Sequence, residues 1–492
     1  MDAKNLIGGT WSGPGKRSLP IVDPATGKTI GKAPRSGARE IAAAVEAAVE
    51  AQAAWAAVPA PRRGEILFQA ARVMEGRKQE LGRLVTAEMG KVKAEALGDV
   101  QEAIDMAYYM AGEGRRLLGA TTPSELPNKL CFTRREPVGV CGLITPWNFP
   151  VAIPSWKSLP ALICGNSVVI KPSEETGGCA TAYVECLVEA GVPAGVVNLV
   201  HGTGEEAGAP LVTHPDVPVI SFTGSNATGR LVAAQAAPLL KHVHLELGGK
   251  NGIVVLDDAD LDFAVRAILW SAYGTSGQRC TAGSRVIATR GIYERLVARV
   301  AQGAAALKVG HGWEDGVDVG PLVRPAAVQK VAHYVAVGRD EDRARLVTGG
   351  KRLKLSGALA KGFFFEPTVF ADVKPGMRIA QEEIFGPVTA VLPVKDLDEA
   401  IQVHSGTAYG LSGAIITRDL ACAMKSARAF KTGIVYVHNG TIGAEVHLPF
   451  GGVKATGNGH REAGLAGIDV FSEWKTVYID YSGALQRAQI DR

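Results

Sequence analysis

The chain has 492 residues, 47% hydrophobic and 21% charged, the composition of a folded globular protein long enough for a large core. Its 53 basic and 49 acidic residues leave a formal net charge of +4 with no Lys/Arg tail, which argues against nucleic acid or an anionic membrane as the main partner. The seven cysteines are odd in number, thinly spread and without a C-x-x-C pair, so neither a disulfide framework nor structural zinc is expected, and the natural setting is a reducing cytoplasm.

Met1 to Trp11 carry no apolar segment of the kind a secretory signal needs. No apolar run reaches the roughly 18 residues of a membrane span; the Ala-rich stretch from Ile41 to Val58 is interrupted by Glu46 and Glu50. Apolar residues at helical spacing predict amphipathic helices over 42–57 and 65–89. A third is expected over 95–118, ending before Gly119 and the loop Thr121-Thr122-Pro123-Ser124. Leu130-Cys131-Phe132-Thr133 reads as a solitary strand. Short β-branched runs then appear at 138–140, 167–170, 196–200, 217–222 and 252–256, separated by helix-length stretches such as 179–191 and 204–212. That alternation is the signature of a parallel sheet with helices on its faces. A second series runs from about Asp258 to about residue 440, so two α/β units are expected, and 470–481 reads as another solitary strand. There is no internal repeat, and the ten scattered histidines offer no metal-ligand cluster.

Several short motifs could carry chemistry. Cys280 stands in Gly277-Gln278-Arg279-Cys280-Thr281-Ala282-Gly283, where glycines free the backbone and the adjoining Arg279 would favour the nucleophilic thiolate; an inert core cysteine is the alternative. Glu246, between Leu245 and Leu247 and before Gly248-Gly249, is a candidate desolvated carboxylate with the raised pKa of a general base, or else a solvated glutamate. Phe222-Thr223-Gly224-Ser225-Asn226-Ala227-Thr228-Gly229 follows a strand and opens a helix, which suits a phosphate, as does the glycine turn Gly202-Thr203-Gly204; either is equally an ordinary turn. Lys171-Pro172-Ser173-Glu174 lies just beyond a strand end, where ligands bind in open α/β sheets, though a solvated charge pair would look the same. Pro146-Trp147-Asn148-Phe149-Pro150 is rigid and non-helical, either an aromatic corner or a holder for the Asn148 amide as an oxyanion donor.

Taken together, these motifs, with Glu382-Glu383-Ile384-Phe385-Gly386-Pro387-Val388 and Pro449-Phe450-Gly451-Gly452, stand in the order found in the aldehyde dehydrogenase superfamily. The chain resembles that family from about residue 5 to 480. The resemblance implies an α/β fold with a Rossmann-like dinucleotide-binding domain (1–125 and 141–249), an α/β catalytic domain (250–446) and a small β oligomerisation arm (126–140 and 467–492) that joins homodimers or homotetramers. It matches Cys280 to the nucleophile, Glu246 to the base for deacylation and Asn148 to the oxyanion amide. It matches Ile144, Thr145, Trp147, Lys171, Glu174, Gly204, Gly224, Ser225, Thr228, Leu247, Glu383 and Phe385 to the dinucleotide site. Phe149, Trp156, Arg279, His447 and Phe450 are candidates for the substrate tunnel, and the polar stretch from Gly443 to Leu448 suggests a polar tunnel mouth. The implied activity is oxidation of an aldehyde, possibly a semialdehyde, to the acid through a thioester on Cys280. NAD is expected in preference to NADP, because the Glu174 carboxylate repels a 2′-phosphate. A CoA-acylating relative and a catalytically retired binding protein are the alternatives; Glu246 argues against the first, and the joint presence of Cys280, Glu246 and Asn148 against the second.

Overall fold

In the computed structural model of the chain, which describes residues 2–491, the strands Val140–Ile144 and Ser167–Lys171 are buried at every position. Short strands buried on both faces in this way suit the middle of a parallel sheet covered by helices. They lie side by side in a seven-stranded sheet whose order is His242–Glu246, Val219–Thr223, Val140–Ile144, Ser167–Lys171, Val197–Leu199, Asn5–Ile7, Thr10–Ser12. The first five run parallel, and the two N-terminal strands close the edge antiparallel. A second seven-stranded sheet gathers Arg345–Thr348, Thr368–Ala371, Val388–Val394, Arg285–Thr289, Gly252–Val255, Ser412–Ile416 and Ile434–Val437, parallel except for its first strand. Two α/β units are therefore present, as the alternation of runs predicts.

The solitary segments also find their place. Lys129–Pro137 and Ser472–Asp480 pair antiparallel along their whole length in a small separate sheet. No single helix is long and apolar enough to cross a membrane among the described residues.

Several expectations need correction. The helix expected over 65–89 is two, Ala60–Gly76 and Lys78–Met89, divided at Arg77 where Gly76 weakens the first and Arg77 turns to pair with Glu80 and Glu185. The helix expected over 95–118 is Lys93–Glu113. It stops at Gly114, whose position lies so close to the Ala60 carbonyl that a Cβ would stand 2.6 Å from it. Gly204 opens a widened π-type turn, Gly204–Gly208, before a short helix Ala209–Thr213, rather than one continuous helix. Val138 and Gly139 lie outside the strand that begins at Val140. The strand His242–Glu246 and the hairpin Ser18–Asp23/Lys28–Pro34 go beyond the expected elements; their β-branched residues are few and set among polar residues, Pro20 and Gly31.

Candidate active site

Cys280 sits where two cavities meet and lines both of them. Its approach is built by backbone geometry: Thr275, Ser276 and Gly277 all take left-handed φ values of +54°, +57° and +69°. Three such residues in succession are costly outside glycine and mark a constrained turn. At Gly277 a Cβ would stand 2.2 Å from the Gly386 carbonyl, so only glycine fits. Beyond the turn, Asn251 Nδ2 donates to the carbonyls of Cys280 (2.7 Å) and Ala282 (3.0 Å), and Thr441 Oγ1 donates to that of Thr281 (2.7 Å). The thiol is thus aimed from both sides.

The first cavity, about 140 Å³, holds Glu246, Phe149, Trp156, Arg279, Phe450 and Glu462 among its walls. Glu246 ends the edge strand and is 6% exposed; burial and the neighbouring Glu462 hold its carboxyl well above the usual range, against the pull of Lys157 and Arg461. Lys157 and Glu462 form a buried ion pair, and Lys157 Nζ also donates to Ser221 Oγ at 2.9 Å. Sequence reasoning missed both: Lys157 lies inside the apolar helix Ala152–Cys164, and Glu462 is far away in the chain. The rings of Trp156 and Phe450 meet edge to face at 5.2 Å, and Trp156 Nε1 is buried without a hydrogen-bond partner among the described residues.

The neighbourhood of Arg279 corrects two expectations. Its Nη2 donates to Glu95 at 3.1 Å, its Nε to Thr275 Oγ1 at 2.8 Å, and the guanidinium lies between the Phe149 and Trp270 rings. It does not stabilise a Cys280 thiolate; burial, Glu246 and Glu383 push that thiol up to about 12, so the resting group is the thiol. His447 does not reach the cavity. It is exposed and stands 3.5 Å from Glu445, also exposed, because a solvated pair costs less at the surface than inside. Gly443, Ala444 and Phe450 supply that part of the wall instead.

A further carboxylate, Glu102, lines this cavity and escaped notice. It shares one helix face with Glu95 and Asp99. Lys91 pairs with Asp99 at 2.9 Å, both side chains fully buried, while its ammonium lies 3.3 Å above the Phe149 ring. Burial, with the repulsion of Asp99, raises the Glu102 carboxyl to about 8, against Lys91 and Arg279.

The second cavity, about 360 Å³, is lined by Trp147, Asn148, Gly224, Ser225, Glu383 and Phe385 among others, and Leu247 and Thr223 border both cavities. Asn148 is 5% exposed and donates one amide hydrogen to the Gln278 carbonyl at 3.1 Å, leaving the other for a ligand. Glu383 accepts from the Gly249 N–H at 2.9 Å, and Trp147 meets Phe385 edge to face at 5.6 Å. Ser225 caps the helix Asn226–Ala236 and contacts Thr228 Oγ1 at 2.9 Å, so that helix presents its N-terminal N–H groups at the cleft. Ile144 and Lys171 close their parallel strands, with Thr145 and Glu174 just past the ends and Gly204 in the turn after Val197–Leu199. These five lie outside the lining of the 360 Å³ cleft itself, on the same carboxyl edge of the sheet. Lys171 Nζ donates to the Gly202 carbonyl at 3.0 Å and stands 3.9 Å from Glu174. The hydroxyls of Thr145 and Thr223 are buried with no partner among the described residues, and Ile144, Trp147 and Leu247 offer apolar surface beside them. A dinucleotide fits this donor set: a helix N-terminus for the pyrophosphate and carboxylates for ribose hydroxyls.

Comparison with known proteins agrees with this geometry. The aldehyde dehydrogenase family profile matches residues 11–477. The chain is 40% identical to an alpha-ketoglutarate semialdehyde dehydrogenase of Haloferax volcanii, over 97% of this chain and 99% of that protein. It is 38% identical to the NADP(+) succinate-semialdehyde dehydrogenase of Escherichia coli, over 96% and 97%. A crystal structure of betaine aldehyde dehydrogenase from Staphylococcus aureus in complex with NAD+ superposes with a TM-score of 0.95 at 32% identity, covering 98% of this chain and 95% of that one. The chain belongs to the aldehyde dehydrogenase family and is an NAD(P)-dependent oxidoreductase that converts aldehydes to carboxylic acids.

Proposed function

We propose that Cys280 is the nucleophile, Glu246 the base of deacylation and Asn148 an oxyanion donor, and that the substrate is an ω-carboxy aldehyde oxidised with NAD. The observation that carries this reading is the position of Cys280 at the junction of a cleft suited to a dinucleotide and a smaller cavity holding a buried carboxylate. Because the thiol rests protonated, its proton leaves for solvent water as sulfur attacks the carbonyl. The free Asn148 amide hydrogen is available to the oxyanion. Nicotinamide, when bound, accepts the hydride. Glu246 then activates water against the Cys280 thioester.

Two observations support a substrate with a carboxylate tail. Arg279 Nη1 has no hydrogen-bond partner among the described residues, and Glu102, raised to about 8, adds little negative charge near neutral pH. The semialdehyde relatives support it too. A second reading, a cationic aldehyde, has an observation of its own: once ionised, Glu102 faces the rings of Phe149, Trp156 and Phe450, a setting that suits an ammonium group. A kcat/KM survey over ω-carboxy, ω-trimethylammonio and uncharged aldehydes of equal length separates them. Preference for the ammonium tail overturns the carboxylate reading.

The NAD preference rests on Glu174, whose carboxylate is only loosely paired. A homodimer or homotetramer is supported by the arm sheet, which exposes Leu130, Trp474, Tyr478 and Ile479. Light scattering on the purified protein tests it. The two sheets support the assignment of 1–125 with 141–249 to the cofactor and of 250–446 to catalysis. All seven cysteines are unpaired, which supports a cytoplasmic location.

A further inference from the structure

The edge strand His242–Glu246 carries His242, His244 and Glu246 at alternate positions, so their side chains share one face. Exposure falls along this row: His242 is exposed, while His244 and Glu246 are 5% and 6% exposed. The neighbouring strand runs parallel in register and sets Thr223 beside Glu246 and Ser221 beside His244. Ser221 Oγ accepts from Lys157 and stands 3.4 Å from Glu462 Oε1, to which it donates. On the facing loop, Glu462 and His460 are likewise two residues apart. The His460 ring meets the His244 ring at a centroid distance of 4.0 Å, inclined at 69°, and His460 is open to solvent.

Both ring nitrogens of His244 are buried, and neither has a hydrogen-bond partner among the described residues. Such a group carries a desolvation cost that a Leu or Phe of similar bulk would avoid. Burial first, then His460, Lys157 and His242, hold the ring neutral, with its pKa lowered to about 3. A polar ring is thus kept between the buried Lys157–Ser221–Glu462 group and the surface.

We propose that His244 and His460 form the outlet through which the proton released in deacylation leaves the buried site. This rests on the reading of Glu246 as the base. Water gives one proton to the Glu246 carboxylate as its oxygen bonds to the thioester carbonyl; the C–S bond breaks, and the departing sulfur takes the proton of the nascent acid, leaving the carboxylate product, the Cys280 thiol and one proton on Glu246. The proton then on Glu246 has to leave before the next turnover. Glu462, whose charge acts on Glu246, accepts from the Ser221 hydroxyl, and Ser221 stands beside His244 in the strand register, so the proton's way out runs past the imidazole. A neutral imidazole accepts a proton at one nitrogen as it releases one from the other, so one enters, one leaves and the ring ends neutral. His460 and solvent receive the proton. In this role both histidines are relay residues that touch neither substrate nor thioester.

The test follows the acyl-enzyme directly. The NAD+ complex is mixed with a short aldehyde, quenched, and the Cys280 adduct is read by intact mass alongside the NADH burst. His244→Ala and His460→Phe, the second at an exposed position and retaining the ring, are expected to keep a burst of about one equivalent while adduct decay slows about tenfold. Imidazole in the buffer is expected to restore decay in His244→Ala but not in Glu246→Gln, which reports on the base separately. Normal decay in both histidine variants beside slow decay in Glu246→Gln overturns the outlet and leaves the base reading intact. Normal decay in Glu246→Gln overturns both. Equal slowing of burst and decay, unresponsive to imidazole, reduces His244 to a packing residue and also overturns the outlet.

Discussion

The two cavities that meet at Cys280 are built in different ways. The larger cleft, the one proposed for the dinucleotide, is made of short local motifs: the turn Gly224–Ser225 and the Leu247–Gly248 segment at the carboxyl ends of parallel strands, and the Glu383–Phe385 loop that leads into Val388–Val394. The substrate cavity is made of side chains brought from distant elements: Glu102 from one helix, Trp156 from another, Arg279 beside the nucleophile and Glu462 near the C-terminus. Its polarity depends on charged partners from other elements, since Arg279 is held by Glu95, Glu246 feels Glu462 and Lys157, and Glu102 is raised by burial and Asp99. A cavity of local motifs tolerates changes around it; a cavity of long-range partners transmits them.

The largest effect breaks the junction itself. Cys280→Ala is expected to lower aldehyde oxidation by about 10³-fold or more while leaving NAD+ affinity within a few-fold, because the thiol belongs to the chemistry and only borders the cleft. Isothermal titration with NAD+ and an NADH absorbance assay check both halves, and turnover above a few per cent would sink the assignment.

On the substrate side, Glu246→Gln is expected to keep a burst of about one equivalent of NADH and to slow the steady state by about 10²–10⁴-fold. The sign of the pH dependence follows from the raised pKa of Glu246. Its basic form appears only as pH rises through that value, so the wild-type deacylation rate falls as pH drops and the variant loses this dependence. Simultaneous loss of burst and steady state would move Glu246 to thiol activation.

Arg279→Ala sharpens the contrast, because it removes a wall group and orphans a buried partner at once. For ω-carboxy aldehydes kcat/KM is expected to fall by about 10–150-fold, with little change for an uncharged aldehyde of equal length. Thermal unfolding should register a loss of about 3–5 kcal/mol from the uncompensated Glu95. Equal kinetic losses for both aldehydes would make the Arg279–Glu95 pair purely structural.

The smallest effect is expected in the cleft. Glu174→Ser should shift the NAD/NADP ratio of kcat/KM toward NADP by about tenfold without altering deacylation, since it removes one repulsive carboxylate at a half-buried position. Steady-state kinetics with both cofactors measure it; a wild-type enzyme already favouring NADP would refute the role of Glu174.

What the amino-acid sequence determined by itself was the chain's local grammar. Continuous β-branched runs at 167–170 and 252–256 can only be central parallel strands, and glycines at 224, 277 and 386 occur where a turn or close approach excludes a side chain. Cys280, Glu246 and Asn148 stand out for the same reason, each embedded in a short motif, and the fold sets all three on the walls of the two cavities. Tertiary structure alone decided the rest. Glu95, Asp99 and Glu102 share one helix face, and the fold brings Arg279 to Glu95 and turns Lys91, just before that helix, back onto Asp99 inside the protein. Arg279 and His447 looked alike as polar candidates, and only packing sent one to Glu95 and the other to the surface. His242–Glu246 hid as a strand because half its residues are polar, and its register against Val219–Thr223 is what sets His244 beside Ser221. Charge partners and strand register are long-range facts: they follow from which elements meet, and residue spacing within one segment does not contain them.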